Sequence, residues 1–258
     1  MAAWSLFNLL KMFCDELEVV IPFKAHSAGT MMAIGADKII MTKQATLSPI
    51  DPSINHPLAP QIQGAPVGSR MPVSVEAISG YLKLAKDTLG DADKNAMSNI
   101  MLDLARQVHP MVLGDTFRRR QQTQLLAEKL LSHVKDADNR KKIISFLSTE
   151  SGSHDYTLNR REATSLGLPI TNCPENLYAP VNGVYKDFRE EMKLKTSFNA
   201  DIFPRNAVTP FANLRAIVES TAAAPFHFIT EGQVSRNDAP AGEVKMITVT
   251  SEGWRQIS

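Results

Sequence analysis

The sequence predicts an α/β protein on three observations. Residues 4–41 alternate helical spacing with short β-branched runs, the rhythm of parallel α/β units. Residues 73–147 keep a helical period. Near the carboxyl end, two β-rich runs flank a turn region of Gly, Asn, Asp and Pro. The 258 residues are 43% hydrophobic and 21% charged, close to globular averages, which excludes a disordered or fibrous chain.

In residues 4–16, Leu6, Leu9, Leu10 and Phe13 recur at helical spacing. Leu17 to Phe23 reads as a short buried strand, favoured by Val19, Val20 and Ile21. Pro22 opposes it, because proline offers no ladder donor. Lys24-Ala25-His26-Ser27 is a turn, and Ala28 to Ala36 is a helix led by small residues. Asp37-Lys38 breaks that helix, and Ile39-Ile40-Met41 is a second strand. Residues 44–72 hold Pro49, Pro52, Pro57, Pro60, Pro66 and Pro72, six of the fifteen prolines, and read as an extended loop laid over a surface.

Four helices follow. The first starts at Ser74 and aligns Ile78, Leu82 and Ala85 on one face; the second covers 93–108 and stops at His109-Pro110. The third covers 115–134 and the short fourth 140–148. Asn159 and Glu162 make a capping box in its asparagine form. The helix they open ends at Gly167, and Leu168-Pro169-Ile170 closes the unit. Residues 172–213 read as irregular, apart from a charged helix near 184–195. The end reads as a β-hairpin of 225–230 with 244–249.

Composition excludes several function classes. A net charge of +1 gives no electrostatic reason to bind nucleic acid or an anionic membrane. Cys14 and Cys173 form no disulfide framework and no metal spacing, which fits a reducing compartment. No apolar run reaches the roughly 18–20 residues that span a bilayer. The apolar amino end carries Lys11, Asp15, Glu16 and Glu18 with no basic start, unlike a signal peptide. Dinucleotide and phosphate loops are missing from the sequence. No cofactor, metal or nucleic acid is expected, and the expected location is cytoplasmic.

The most chemical feature is Ser27, between an apolar strand and a helix that opens with Ala28-Gly29. A helix start presents unpaired amides and the positive end of the dipole, so the Ala28 amide could hold an oxyanion formed by attack of Ser27. The plain alternative is that Ser27 caps the helix. Ala25-His26-Ser27-Ala28-Gly29 also matches the nucleophile elbow G-x-S-x-G with alanine first. His26 is a poor base for its neighbour, because adjacent strand residues point to opposite faces.

An ordered set of segments then resembles one family. They are Ala25-His26-Ser27-Ala28-Gly29-Thr30, Gly35-Ala36-Asp37-Lys38-Ile39-Ile40-Met41, and Leu47-Ser48-Pro49-Ile50-Asp51-Pro52. Farther along stand Val108-His109-Pro110-Met111-Val112-Leu113-Gly114, Ser153-His154-Asp155-Tyr156, Arg161-Glu162-Ala163 and Leu166-Gly167-Leu168-Pro169. Together, over about residues 5–180, they resemble the serine dehydrogenase proteinase family. That family is grouped with signal-peptide-peptidase-like and Clp-protease-like serine peptidases of the crotonase-type fold. The resemblance implies a ββα spiral that is short at its amino end, with a helical insert and a carboxyl-terminal hairpin extension. The implied domains are 1–180 for the peptidase and 181–258 for the extension.

The resemblance makes Ser27 the expected nucleophile. The place of the Clp-like histidine falls at Ile50-Asp51, and the third residue at His154-Asp155. Exchanged roles solve this physically: His154 is the base and Asp51 orients it, with Asp155 beside them. Lys83 and Lys86 are the alternative bases, by analogy with lysine-dependent relatives, although a lysine base needs desolvation. Bland readings stand beside these: an Asx turn at Asp51, a turn-shaping role for His154-Asp155, and surface or capping roles for His56, His109, His133 and His227.

The expected function is a serine peptidase acting on polypeptide as a homo-oligomer. The alternative is a catalytically impaired assembly or binding protein, motivated by the few elements before Ser27. An α/β-hydrolase-type esterase ranks third, and an acyl-CoA enzyme of the crotonase fold is a distant variant. Membrane association is expected only through segments upstream of this chain.

Overall fold

The structure, a computed structural model, describes residues 2–51, 53–65, 68–89, 94–150, 155–239 and 242–257. They fall into two compact units, Met1–Pro174 and Glu175–Ser258. The protein is of mixed α/β class.

The first unit begins with α1 (Ala2–Lys11), which buries Ala3 and Phe7 and leaves Leu6, Leu9 and Leu10 exposed. β1 (Glu18–Ile21) ends immediately before Pro22, so the missing amide falls outside the ladder. β2 (Lys24–Ala25), α2 (Ala28–Ile34) and β3 (Lys38–Met41) follow. Asp37 holds the junction before β3: its carboxylate accepts from the Leu17 amide at 2.8 Å and from Lys11 at 3.0 Å. These bonds keep its pKa below the ordinary value. Gly35 is required at the end of α2. A Cβ there would lie 2.5 Å from the Phe7 ring and 2.8 Å from Leu130, so helix packing leaves no room for a side chain.

The segment read as one proline-rich loop contains β4 (Thr46–Leu47), β5 (Ser53–Ile54) and an isolated bridge between Gln61 and Arg70, and it leads into β6 (Val73–Ser74). Long-range pairing organises it where local pattern shows only proline. Four helices follow, as the period predicts: α3 (Val75–Leu89), α4 (Lys94–Gln107), α5 (Pro110–Leu130) and α6 (Ala137–Ser145). α5 starts earlier than the sequence reading. His109-Pro110 ends one helix and also begins the next: His109 accepts from the Met111 amide at 3.1 Å, and Pro110 occupies the first turn, where its missing amide costs nothing. α6 runs on into a π-helical turn over Phe146–Glu150.

β7 (Leu158–Asn159) leads into α7 (Arg160–Leu166). Asn159 accepts from the Glu162 amide at 3.1 Å, the capping bond the sequence indicated. Gly167 ends α7 at φ 96°, where Leu168 N bonds Ala163 O at 3.2 Å. β8 (Ile170–Asn172) closes the unit. One parallel sheet has the order β1-β3-β8, with Ile39 opposite both Val19 and Ile170. A second has the order β2-β4-β7. Ile21, Ile34, Ile39, Met41, Leu47, Leu130, Leu147 and Leu158 are fully buried in one core.

The second unit corrects two sequence readings. Residues 172–213 are not irregular: α8 (Glu175–Glu191) begins earlier than the expected charged helix, and β9 (Ala207–Val218) follows. The terminal hairpin, β10 (Phe226–Ala239) and β11 (Gly242–Gln256), is part of a three-stranded antiparallel meander of order β11-β10-β9. Pro210 hid β9 from sequence reading, and it is tolerated because β9 is an edge strand. Arg236 is buried and donates to the carbonyls of Asp201 and Phe203 at 2.5 and 2.6 Å. Phe228 and Trp254 pair across β10 and β11 with centroids 5.4 Å apart.

Candidate functional site

The turn after β2 carries Ser27 in a conformation that L-residues avoid, φ 50° and ψ −106°. Its side chain makes no capping hydrogen bond. The cap reading of Ser27 therefore fails on geometry. A non-glycine residue held at positive φ between a strand and a helix is the backbone signature of a nucleophile elbow. Ser27 is half-buried, and Ala28 is exposed at the first position of α2. First-turn amides of a helix lack intrahelical acceptors, so the Ala28 amide stands where an oxyanion could be received.

Two hydroxyls hold this turn. Thr30, fully buried, donates to Ala25 O at 2.7 Å and accepts from Ser48 N at 3.0 Å. Ser48 Oγ in turn accepts from Ser27 N at 2.8 Å and donates to Pro49 O at 2.9 Å. The backbone of Ser27 is thus fixed by side chains from α2 and from the end of β4. Gly29 is small because α2 sits close on β2: a Cβ there would meet Ala25 Cβ at 3.3 Å. His26 is hydrogen-bonded to Thr46 Oγ1 at 3.0 Å, across to β4.

Sheet topology sets the ends of β2 and β4 and the start of β7 on one side of the small sheet. β2 and β4 are parallel, with Lys24 opposite Thr46 and Ala25 opposite Leu47. Both therefore deliver their following residues, Ser27 and Ser48–Asp51, at the same end. β7 is antiparallel to β4, with Leu158 opposite Leu47, so the chain enters β7 from that same end. Asp155 lies just before it and is exposed. His154 lies outside the described residues. Lys83 and Lys86 are exposed on α3.

Asp51 is 4% exposed and acts electrostatically on Glu76 of α3, a residue that sequence reading missed. Burial, then the hydrogen bond and charge of Asp51, push the Glu76 pKa up to about 7. Glu76 is the first-turn acid of a helix, an unremarkable position locally; only the fold brings it against the loop after β4. The preceding residue, Ile50, donates to Leu147 O in the π-helical turn at 2.9 Å.

The other described histidines have structural roles. His56 accepts from the Leu58 amide at 3.0 Å and lies 3.9 Å from Asp115. His133 Nδ1 is 3.0 Å from Leu130 O, and His227 lies 3.5 Å from Glu191. Among the described residues, no group of His, Cys, Asp and Glu could hold a metal ion, and no helix is long and apolar enough to cross a membrane.

Comparison with known proteins sets a partial likeness beside this geometry. Residues 1–77 match the family model of the ClpP-like SDH-type serine proteinases. Uncharacterized protein MJ0137 of Methanocaldococcus jannaschii is 30% identical over 179 residues, covering 69% of this chain and 52% of that protein. Uncharacterized protein MJ1495 of the same organism is 27% identical over 170 residues, covering 66% of this chain and 47% of that protein. The chain thus spans about half the length of the curated relatives it matches. No solved structure matches it. The matched segment, residues 1–77, carries Ser27, Ala28, Ser48, Asp51 and Glu76, and over it the chain is similar to the ClpP-like SDH-type serine proteinases.

Proposed function

We propose that the chain is a serine peptidase that cleaves peptide bonds through Ser27. The observation that carries this reading is the strained backbone of Ser27, held by Ser48 and Thr30 and free of any capping bond. Ser27 Oγ attacks the carbonyl carbon and its proton passes to the base. The oxyanion is received by the Ala28 amide, the tetrahedral species expels the amine with return of that proton, and water hydrolyses the acyl-enzyme. His154 is the base in this scheme, with Asp51 and Asp155 as its orienting carboxylates. Lys83 and Lys86 are the alternative bases, and their exposure counts against a lowered lysine pKa.

The same reading includes a Clp/crotonase-like ββα arrangement for a peptidase domain over 1–180 and an extension over 181–258. It includes assembly into a homo-oligomer. Apolar Tyr81, Leu84, Leu102, Met111 and Phe117, exposed on α3, α4 and α5, support an assembly face.

Labelling with a fluorophosphonate tests the function. The expected result is covalent modification of Ser27, abolished in Ser27→Ala. Equal labelling of the two proteins, or none in either, refutes the reading and favours a binding or assembly role.

A further inference from the structure

We propose that the outer edge of β9 accepts a single extended polypeptide segment bearing acidic side chains, which adds a fourth strand to the meander of the second unit. The occupant is a segment of another protein, and its docking does not depend on the chemistry of Ser27.

The edge supplies backbone partners. β9 borders the meander, whose order is β11-β10-β9. Among the described residues, no hydrogen bond from outside the meander reaches the backbone of residues 208–214. Pro210 lies opposite Gln233. Its nitrogen carries no proton, so it fits where that nitrogen faces away from β10. Strand alternation then turns the backbone groups of Val208, Ala212 and Leu214 the same way. The register shift between Phe228 and Ile229 ends this run at Leu214. The amides and carbonyls of Ala212 and Leu214 are thus unpaired along the outer edge, a template for another strand.

A cavity of about 500 Å³ lies along this edge. Residues 210–215 all line it, and consecutive strand residues face opposite sides of a sheet, so the cavity runs beside the strand rather than over one face. Six strand residues span about 20 Å, the reach of a short extended segment. The far wall is the stretch after α8, which contributes Phe198, Ile202 and Phe203. That wall is anchored. Phe198 packs on Phe211 with centroids 5.1 Å apart and on Phe203 at 5.8 Å. Asn199 caps the 3-10 turn Ala200–Ile202 by accepting from the Asp201 amide at 2.8 Å, and buried Arg236 donates to the carbonyls of Asp201 and Phe203. Yet Ile202 of this anchored turn is 77% exposed and Phe198 41% exposed. They offer an entering strand apolar contact beside its backbone pairing.

Room beside β9 selects a free segment over a second copy. Paired strands lie about 4.8 Å apart, so the second strand of an added sheet falls about 10 Å from β9, on the side where the wall stands. The β9 or β11 of another copy is such a sheet edge, already bonded to its own β10.

Charge selects the chemistry of the segment. Lys193 and Arg215 line the cavity and are exposed, and among the described residues neither has an acidic partner. Lys195 is exposed in the same stretch as Lys193. The nearby acids are engaged: Asp201 pairs with Lys245 and lies 3.7 Å from Arg236, and Glu191 lies 3.5 Å from His227. The uncompensated charge is positive, so aspartate or glutamate on the segment is attracted and lysine is repelled.

The test is fluorescence anisotropy of the full chain with a fluorescein-labelled peptide of alternating Glu and Val. One control peptide alternates Lys and Val. The other alternates Glu and Pro, which keeps the charge but cannot form a regular ladder. The protein variants are Ala212→Pro, which removes one outward amide as Pro210 already does, and the double variant Lys193→Glu with Arg215→Glu. Ser27→Ala is measured beside wild type, so cleavage of the probe does not enter the result. The Glu-Val peptide should bind, and both control peptides should bind about tenfold more weakly. Ala212→Pro should weaken Glu-Val binding about fivefold, the loss of one hydrogen bond. The charge-reversed variant should weaken it about tenfold and strengthen Lys-Val binding. Equal affinity for Glu-Val and Glu-Pro, or unchanged binding in a folded Ala212→Pro, overturns strand addition. If Ala212→Pro melts early, the Glu-Pro comparison on wild type decides alone. Equal affinity for Glu-Val and Lys-Val overturns the acidic occupant. Absence of Glu-Val binding at millimolar peptide overturns the proposal outright. So does self-association of the chain that Ala212→Pro abolishes, which assigns the edge to a second copy. Fluorophosphonate labelling of Ser27 succeeds or fails independently of every one of these outcomes.

Discussion

Replacing Ser27 by glycine should make the protein more stable than replacing it by alanine. Ser27 sits at φ 50° and ψ −106°, where any side chain beyond hydrogen crowds the backbone. Holding a non-glycine residue in such a region costs about 1–3 kcal/mol. Glycine relieves that strain but adds about 0.4–1 kcal/mol of unfolded-chain entropy. The net expectation is that Ser27→Gly exceeds Ser27→Ala by about 1–2 kcal/mol, the strain term less the entropy term. At roughly 2–4 °C per kcal/mol for a unit of this size, the midpoints should differ by about 2–8 °C. Neither variant keeps the hydroxyl, so the comparison isolates the backbone. Calorimetric melting of both variants measures it. If Ser27→Ala melts at or above Ser27→Gly, the turn is not strained, and the case for an elbow built against local preference fails.

Three further perturbations probe the same construction. Thr30→Val keeps the shape but orphans Ala25 O and Ser48 N, so urea unfolding should show a loss of about 2–4 kcal/mol. Gly35→Ala forces a methyl against Phe7 and Leu130, so it should destabilise by about 1–3 kcal/mol in the same assay. In the second unit, Arg255 donates to both oxygens of Glu231 at 2.8 and 2.6 Å and, with Ser251, pulls that carboxyl down to about 2. A lowered carboxylate pKa contributes stability above the ordinary carboxylate range and loses it as pH falls through about 2. Carbon NMR should find the Glu231 midpoint there, and Arg255→Gln should return it toward 4.5.

Much of the first unit was legible because its signals are local. α1, α2, β1 and β3 follow from period and β-branching, and the Asn159–Glu162 box and Gly167 mark α7 by capping chemistry alone. The parts that were not legible depend on distant partners. β4 and β5 are two-residue strands with no pattern of their own, and β9 contains a proline that only edge placement excuses. At the site, Ser27 could be read from sequence, but its strain could not, because a serine before a helix ordinarily caps it. Thr30 and Ser48 look like ordinary small polar residues until their bonds to Ala25 and Ser27 are seen. Glu76 lies twenty-five positions beyond Asp51, and no spacing rule joins them. The motif that suggested an elbow held no information about what keeps it in place.

The shortness of β2, β4 and β7 has a consequence for how this molecule comes apart. Each is two residues long, against a usual strand of about five to six. So small a sheet contributes few cooperative ladder bonds, whereas β1 and β3 pair over four residues in the buried core. The strands around Ser27 should therefore open as a sub-global unit while β1, β3 and β8 stay closed. Limited proteolysis under native conditions should then nick the chain around residues 44–60 before either partner of the parallel sheet is cut. Such a hierarchy would let the neighbourhood of Ser27 rearrange without endangering the scaffold beneath it.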